Sequence, residues 1–172
     1  AIVREFRASL LSGELQRYVG SSAAVFTYGL LLAVAAGIPV GIAMGRFRLL
    51  EYAVDMYVNA LYATPMVALV PLLVLWFGIG VWAKVVIVFF FAVFPVMLNT
   101  FQGVRSVSRE LLEVVRSLCA RERHLWVDLI LPSCVPFIVA GLRLAVGRAL
   151  IGMVIAEFYT SISGLGYMVI RY

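Results

Sequence analysis

Apolar residues dominate four stretches of the chain, near 19–45, 56–77, 81–103 and 135–158, with only scattered polar positions inside them. Crossing about 30 Å of hydrocarbon takes roughly 20 helical residues, so each stretch predicts a transmembrane helix. Residues 1–18, AIVREFRASLLSGELQRY, mix apolar and charged positions too closely to span a bilayer and predict an interfacial helix or loop. One long polar segment, 104–130, separates the third and fourth stretches. The tail 159–172 leads from a Gly-rich turn into a further apolar run.

Composition turns this pattern into a conclusion about solvent. Of 172 residues 64% are hydrophobic and 13% charged, against about 25% charged in an ordinary globule. A small globule cannot hide that much apolar surface from water, so the chain is an integral membrane protein. The net charge of +5 comes from arginines spaced between apolar runs. That is no nucleic-acid patch. Cys119, Cys134 and the single His124 have no metal-site spacing, and both cysteines read as free thiols. No paired-carboxylate site and no Gly-rich phosphate loop with a lysine is present, so no enzyme chemistry is expected on this chain.

Charge also predicts sidedness. The segments 46–55 and 104–130 fall on one side of a four-span bundle and carry Arg46, Arg48, Arg105, Arg109, Arg116, Arg121 and Arg123, whereas the other side holds Lys84 at the connection of the second and third spans, with Arg4, Arg7, Arg17 and Arg171 near the chain ends. Basic residues in short loops stay in the cytoplasm. The first span has small residues at every fourth position, Gly29, Ala33, Gly37, Gly41 and Gly45, and the fourth repeats the device with Gly141, Ala145, Ala149, Gly152 and Ala156. Such ridges let a neighbouring backbone approach closely. Pro39, Pro65, Pro71 and Pro95 predict kinks in the first three spans.

Within 108–124, Leu111, Val114, Val115 and Leu118 recur at helical spacing, with Glu110, Glu113, Arg116 and Arg123 on other faces. Ser108 is placed to cap that helix. The pattern fits an interfacial linker on anionic lipid or a docking element for a cytoplasmic protein, and on periodicity alone both stand.

The segment continues through Leu129-Ile130-Leu131-Pro132 and Pro136 into the fourth apolar stretch. Here the chain resembles the permease subunits of binding-protein-dependent ABC importers, whose loop reads EAA, three residues, G, nine residues, I-x-L-P. Glu113-Val114-Val115 stands at the EAA, Cys119 at the glycine, Leu129 at the isoleucine, and Leu131-Pro132 matches; both alanines, the glycine and the isoleucine are substituted. Cys119 removes an easy left-handed backbone, so the turn after Leu118 is expected to differ. GIPVGIAMGRF, ATPMVALVPLLVLWFGIG, FPVMLNTFQGV, GLRLAVGRAL and AEFYTSISGLGY are similar to the nitrate, sulfonate and taurine branch.

The resemblance implies an all-α polytopic transmembrane helical bundle of the type I ABC importer permease (MetI-like) fold, with this chain holding the counterparts of spans two to five of six and belonging to a longer subunit. It implies a periplasmic-side segment 1–18, a transmembrane domain 19–158 with coupling loop 104–130, and a periplasmic loop with the start of another span over 159–172. The protein would sit in the bacterial inner membrane as a multi-pass homodimer. Its partners would be an ATP-binding ABC subunit, which carries ATP and Mg, and a periplasmic substrate-binding protein; this chain itself would hold no cofactor. Glu113, Arg116, Ser117, Leu118, Cys119, Ala120, Arg121 and Arg123, with Leu131 and Pro132, would form the ATPase-docking loop. The solute would be a small anion or zwitterion.

Charges inside the membrane are the remaining signal. Arg143 and Arg148 lie in the fourth span, where an arginine costs about 2.5–3.5 kcal/mol on insertion scales, so Arg148 is expected to face protein or a wet cavity. Both are candidates for the translocation path, or for snorkelling and for pairing with a freed carbonyl. Glu157, before the Gly-rich turn, reads as a gate residue or as an exposed interfacial carboxylate. Asn59, Thr64 and Asn99 read as lining residues or helix-to-helix hydrogen bonds. Two other functions fit the pattern: a secondary transporter or channel that needs no ATPase, and a scaffold that recruits a cytoplasmic protein.

Overall fold

The computed structural model describes residues 13–117, 121–160 and 163–171, and among them it holds helices and turns with no strand. The helices are α1 (Glu14–Arg46), α2 (Arg48–Ala63), α3 (Met66–Phe77), α4 (Val81–Arg105), α5 (Arg109–Ser117), α6 (Glu122–Thr160) and α7 (Leu165–Arg171). Three of them, α1, α4 and α6, are long and apolar enough to cross a membrane, and α2 with α3 passes the same test as one broken pair. The fold is the expected all-α polytopic bundle.

The spans differ from the hydrophobic pattern in two places. The second is not one helix near 56–77 but α2 and α3, interrupted at Thr64 and Pro65. Pro65 forces Thr64 out of the helical region (φ −67°, ψ 133°), which ends α2. The fourth apolar stretch, 135–158, lies within a longer helix. That helix starts at Glu122 and runs 39 residues to Thr160, so much of the predicted loop 104–130 is helical. Polar helical turns carry no hydrophobic signal, so the apolar stretch marks only part of this helix. Over Leu125–Ile130 the backbone of α6 is π-helical, just before Pro132, whose missing N–H already leaves a carbonyl of the preceding turn without its ordinary partner. Likewise Glu14 to Tyr18 form the first turns of α1.

The chain divides into two compact units. The first comprises residues 1–31, 65–91 and 148–172, and its core joins Val70, Leu73, Ile87, Phe91 and Ala156. Trp76 and Trp82 flank the α3–α4 turn and are largely exposed, as suits aromatic anchors at a membrane interface. The second comprises 32–64 and 92–147, with a core of Val104, Leu125, Ile130 and Cys134.

Both small-residue ridges are packing seams. In the first unit Gly29 lies against Val88, and Gly152 against Phe91. In the second, Gly37 lies against Val96, Gly45 against Val104, and Gly141 against Pro95, Val96 and Asn99. Ala33, Ala145, Ala149 and Ala156 are fully buried. A Cβ at Gly41 would stand 2.5 Å from the Met97 carbonyl oxygen, an unyielding backbone atom, whereas at Gly20 it would meet nothing within 4 Å. Gly41→Ala is therefore expected to cost about 1–3 kcal/mol, and Gly20→Ala to be neutral or slightly stabilising. Thermal unfolding of the two variants in one detergent separates them.

Candidate functional site

Two groups of polar residues stand out, one in each unit. The first surrounds α5. Ser108 Oγ accepts from the Leu111 N–H at 3.3 Å, the expected cap, and Glu110 occupies the first turn. The helix does not present Leu111, Val114 and Val115 as one apolar face. Leu112 and Val115 pack inward on the Val104–Leu125–Ile130–Cys134 core, while Leu111 and Val114 are 51% and 55% exposed. A nine-residue helix with apolar residues on both sides is anchored by one and shows the other. Glu110 and Glu113 are exposed beside it. Leu112 was not singled out by the sequence, because the i, i+3 repeat of its neighbours masks it.

The rest of the proposed loop surrounds that helix. Ser117 Oγ donates to the Val114 carbonyl at 2.8 Å and closes the last turn. Arg121 precedes α6, and its carbonyl accepts from the His124 and Leu125 N–H groups. Arg121, Arg123, Leu131 and Pro132 are exposed. Leu118, Cys119 and Ala120, together with the Arg116 side chain, lie outside the described residues. Two ion pairs tie this region together: Arg46 to Glu122 at 3.3 Å and Arg105 to Glu51 at 2.6 Å. Neither is legible in sequence, since the partners are 76 and 54 residues apart.

The second group centres on Glu157, and here the exposed-carboxylate reading is overturned. Glu157 has no solvent exposure. Its Oε1 accepts from Ser22 Oγ at 2.6 Å, and its Oε2 from the Gly166 N–H at 2.8 Å. Ser22 Oγ in turn accepts from the Leu165 N–H at 2.9 Å. Lys84, counted above as a loop cation, is 1% exposed. Its Nζ donates to the Ser163 carbonyl at 2.6 Å and lies 3.1 Å from Ser163 Oγ, and its charge interacts with that of Glu157.

The Gly-rich turn is shaped by this carboxylate. Gly164 has φ +104°, and a Cβ there would collide with the Glu157 carboxyl; a Cβ at Gly166 would sit 2.7 Å from Glu157 Cβ. Ionisable groups inside a membrane protein stay only where they are paired and hydrogen-bonded, and every buried side-chain polar atom among the described residues has a partner.

The two arginines of α6 separate. Arg143 is exposed on the helix, on the same side as Val139 and Val146, whereas Arg148 is half-buried. The smaller polar candidates are satisfied inside their own helices rather than between helices: Asn59 by Asp55, Thr64 by the Ala60 carbonyl, Asn99 by the Pro95 carbonyl.

The comparisons with known proteins converge. Residues 37–171 match the family described as binding-protein-dependent transport system inner membrane component. A Bacillus subtilis protein named for aliphatic sulfonate transport, SsuC, is 38% identical over 98% of this chain and 61% of its own length. The formylaminopyrimidine transport permease protein ThiX of Halalkalibacterium halodurans is 34% identical over 87% of this chain and 60% of its own. The taurine transport system permease protein TauC of Escherichia coli is 34% identical over 92% and 58%. The chain thus spans about three fifths of the length of these relatives.

Proposed function

The chain belongs to the family of binding-protein-dependent transport system inner membrane components, and from that membership we propose that it is the membrane-spanning subunit of an ATP-driven importer. In this reading the solute is a small anion or zwitterion of the sulfonate, taurine or nitrate class. ATP and Mg are bound on a separate ATPase subunit, a periplasmic binding protein delivers the solute, and two copies of the permease enclose the path. The relatives' names span sulfonates, taurine and a formylaminopyrimidine, which supports a small polar solute without choosing one.

The observation that carries the proposal is α5. It is clamped to the second unit's core by Leu112 and Val115 and offers Leu111 and Val114 outward, flanked by carboxylates. A helix anchored on one side and apolar on the other is suited to transmit movement from a protein docked on it, and a lever of this kind switches a bundle between two packings. On the membrane side, Arg143 lies exposed among apolar residues of a span, an arrangement that needs the headgroup region, another protein surface or a wet cavity. A path shared with a second subunit would supply such a cavity, with Arg143 and Arg148 as the groups that draw an anion.

The test uses the full-length permease with its ATPase in proteoliposomes. Reversing Glu113 to Lys together with Arg116 to Glu is expected to abolish ATP-dependent uptake while insertion is unchanged. ATP-dependent uptake at the wild-type rate would remove the docking role of this loop, and uptake that persists without any ATPase would remove the importer reading and leave a secondary transporter or channel.

A further inference from the structure

In the second unit, three span ends meet on the side that the arginines assign to the cytoplasm: α1 ends at Arg46, α4 ends at Arg105, and α6 begins at Glu122. Between them lies a cavity of about 460 Å³ walled by Arg46, Arg48, Arg105, Glu122 and Trp126 together with apolar core residues such as Val104 and Leu125. Three arginines and one carboxylate line it, and with Glu51 bound to Arg105 the cluster keeps one net positive charge. Arg105 is held by Glu51, and Arg46 by Glu122. The Arg46 guanidinium also lies 5.4 Å from the Trp126 ring centroid and 5.7 Å from that of Phe47. Arg48 is exposed and has no ion pair among the described residues.

A second hollow of about 430 Å³ adjoins it and shares Arg46 and Trp126. Its other walls are Pro39, Ile42, Ala43 and Phe47, all apolar and all on or just past the last turns of α1. Phe47 is 57% exposed. The polar and apolar hollows thus abut at the level where a span leaves the hydrocarbon, with an arginine–tryptophan stack on the boundary.

We propose that this paired cavity is a binding site for an anionic phospholipid of the cytoplasmic leaflet, the phosphate held by Arg46 and Arg48 and an acyl chain laid along Pro39, Ile42, Ala43 and Phe47. A soluble phosphate ester would use the basic cavity but has no group for the apolar one. A zwitterionic lipid would use the apolar hollow but brings its own cation to the arginines. An anionic lipid alone satisfies both. The planar guanidinium suits phosphate oxygens, and basic pockets between spans on this side of a membrane recognise anionic head groups. Arg46 is oriented by Glu122 and two rings, and Arg48 supplies a charge that makes no ion pair among the described residues. This rests on sidedness and membrane location, and not on the importer reading.

Native mass spectrometry of the full-length permease, assembled with its partner subunits and exchanged into mixed phosphatidylglycerol and phosphatidylcholine of identical chains, tests it. Phosphatidylglycerol is expected to be retained preferentially, and Arg48→Gln to lower that preference about fivefold, the weight of one basic side chain near a charged surface. Arg48 makes no ion pair to lose among the described residues, so this variant should fold. Phe47→Ala should weaken retention of both lipids, and Arg17→Gln, at the far end of α1, should change nothing. Equal retention of the two lipids, an equal loss in Arg17→Gln, or full displacement by millimolar glycerol phosphate would each overturn the proposal.

Discussion

Leu111→Asp combined with Val114→Asp is expected to stop ATP-driven uptake in the full-length protein without impairing insertion. Both side chains are more than half exposed, so the folded chain loses little when they become charged. A docked partner loses two apolar anchors and gains two buried carboxylates. Central contacts in such interfaces are worth about 2 kcal/mol each or more, so together about 4 kcal/mol, or roughly a thousandfold in affinity. Co-purification of the ATPase and uptake in proteoliposomes should fall together. The control is the opposite face: Leu112→Ala with Val115→Ala removes core contacts and is expected to lower thermal stability by about 2–4 kcal/mol. Wild-type co-purification in the Asp variant would show that α5 is not the docking helix, whatever else the loop does.

The second large effect is expected at Glu157. Glu157→Leu leaves the Ser22 hydroxyl and the Gly166 N–H without their acceptor in a closed site, while Lys84 keeps its hydrogen bonds to Ser163. Leaving two buried polar groups without a partner costs about 1–3 kcal/mol each. Lys84→Met should cost less, because Glu157 keeps its two hydrogen bonds. The double variant should be more stable than the sum of the two losses predicts, which is the mark of direct coupling. Denaturation in mild detergent of all four proteins gives the coupling. Strict additivity would mean that the two residues serve separate purposes. If Glu157→Leu proves too unstable to purify, Gly164→Ala perturbs the same carboxylate from the turn, through both its positive φ and the collision with Glu157.

These two sites were legible to different degrees. The α5 region declared itself through local signals: a capping serine, helical spacing and a charged surround over a few residues. Even so, the inward face was misread, because Leu111, Leu112, Val114 and Val115 offer two overlapping periodicities and only a core can choose between them. Glu157 was visible as a charge in an apolar span, and its environment was not. The residues that bury it, Ser22, Lys84 and Gly166, are up to 135 positions away, and each looks unremarkable alone. Lys84 in particular sits after the Gly78–Gly80 turn like any loop cation.

The membrane class, the approximate spans and the two packing ridges were determined by the sequence itself. Each depends on composition and near-neighbour periodicity, which lipid enforces strictly because an apolar helix has no other stable solvent. The break at Pro65 was half determined, since proline forbids a continuous helix there and leaves open whether the chain bends or ends. Tertiary structure decided which face of α5 is anchored, where α6 begins, and which charges meet. The physical reason is common to all three. Polar helical turns and buried ion pairs are stable only in the company of particular distant groups, and pairings of distant groups are a property of the packed chain.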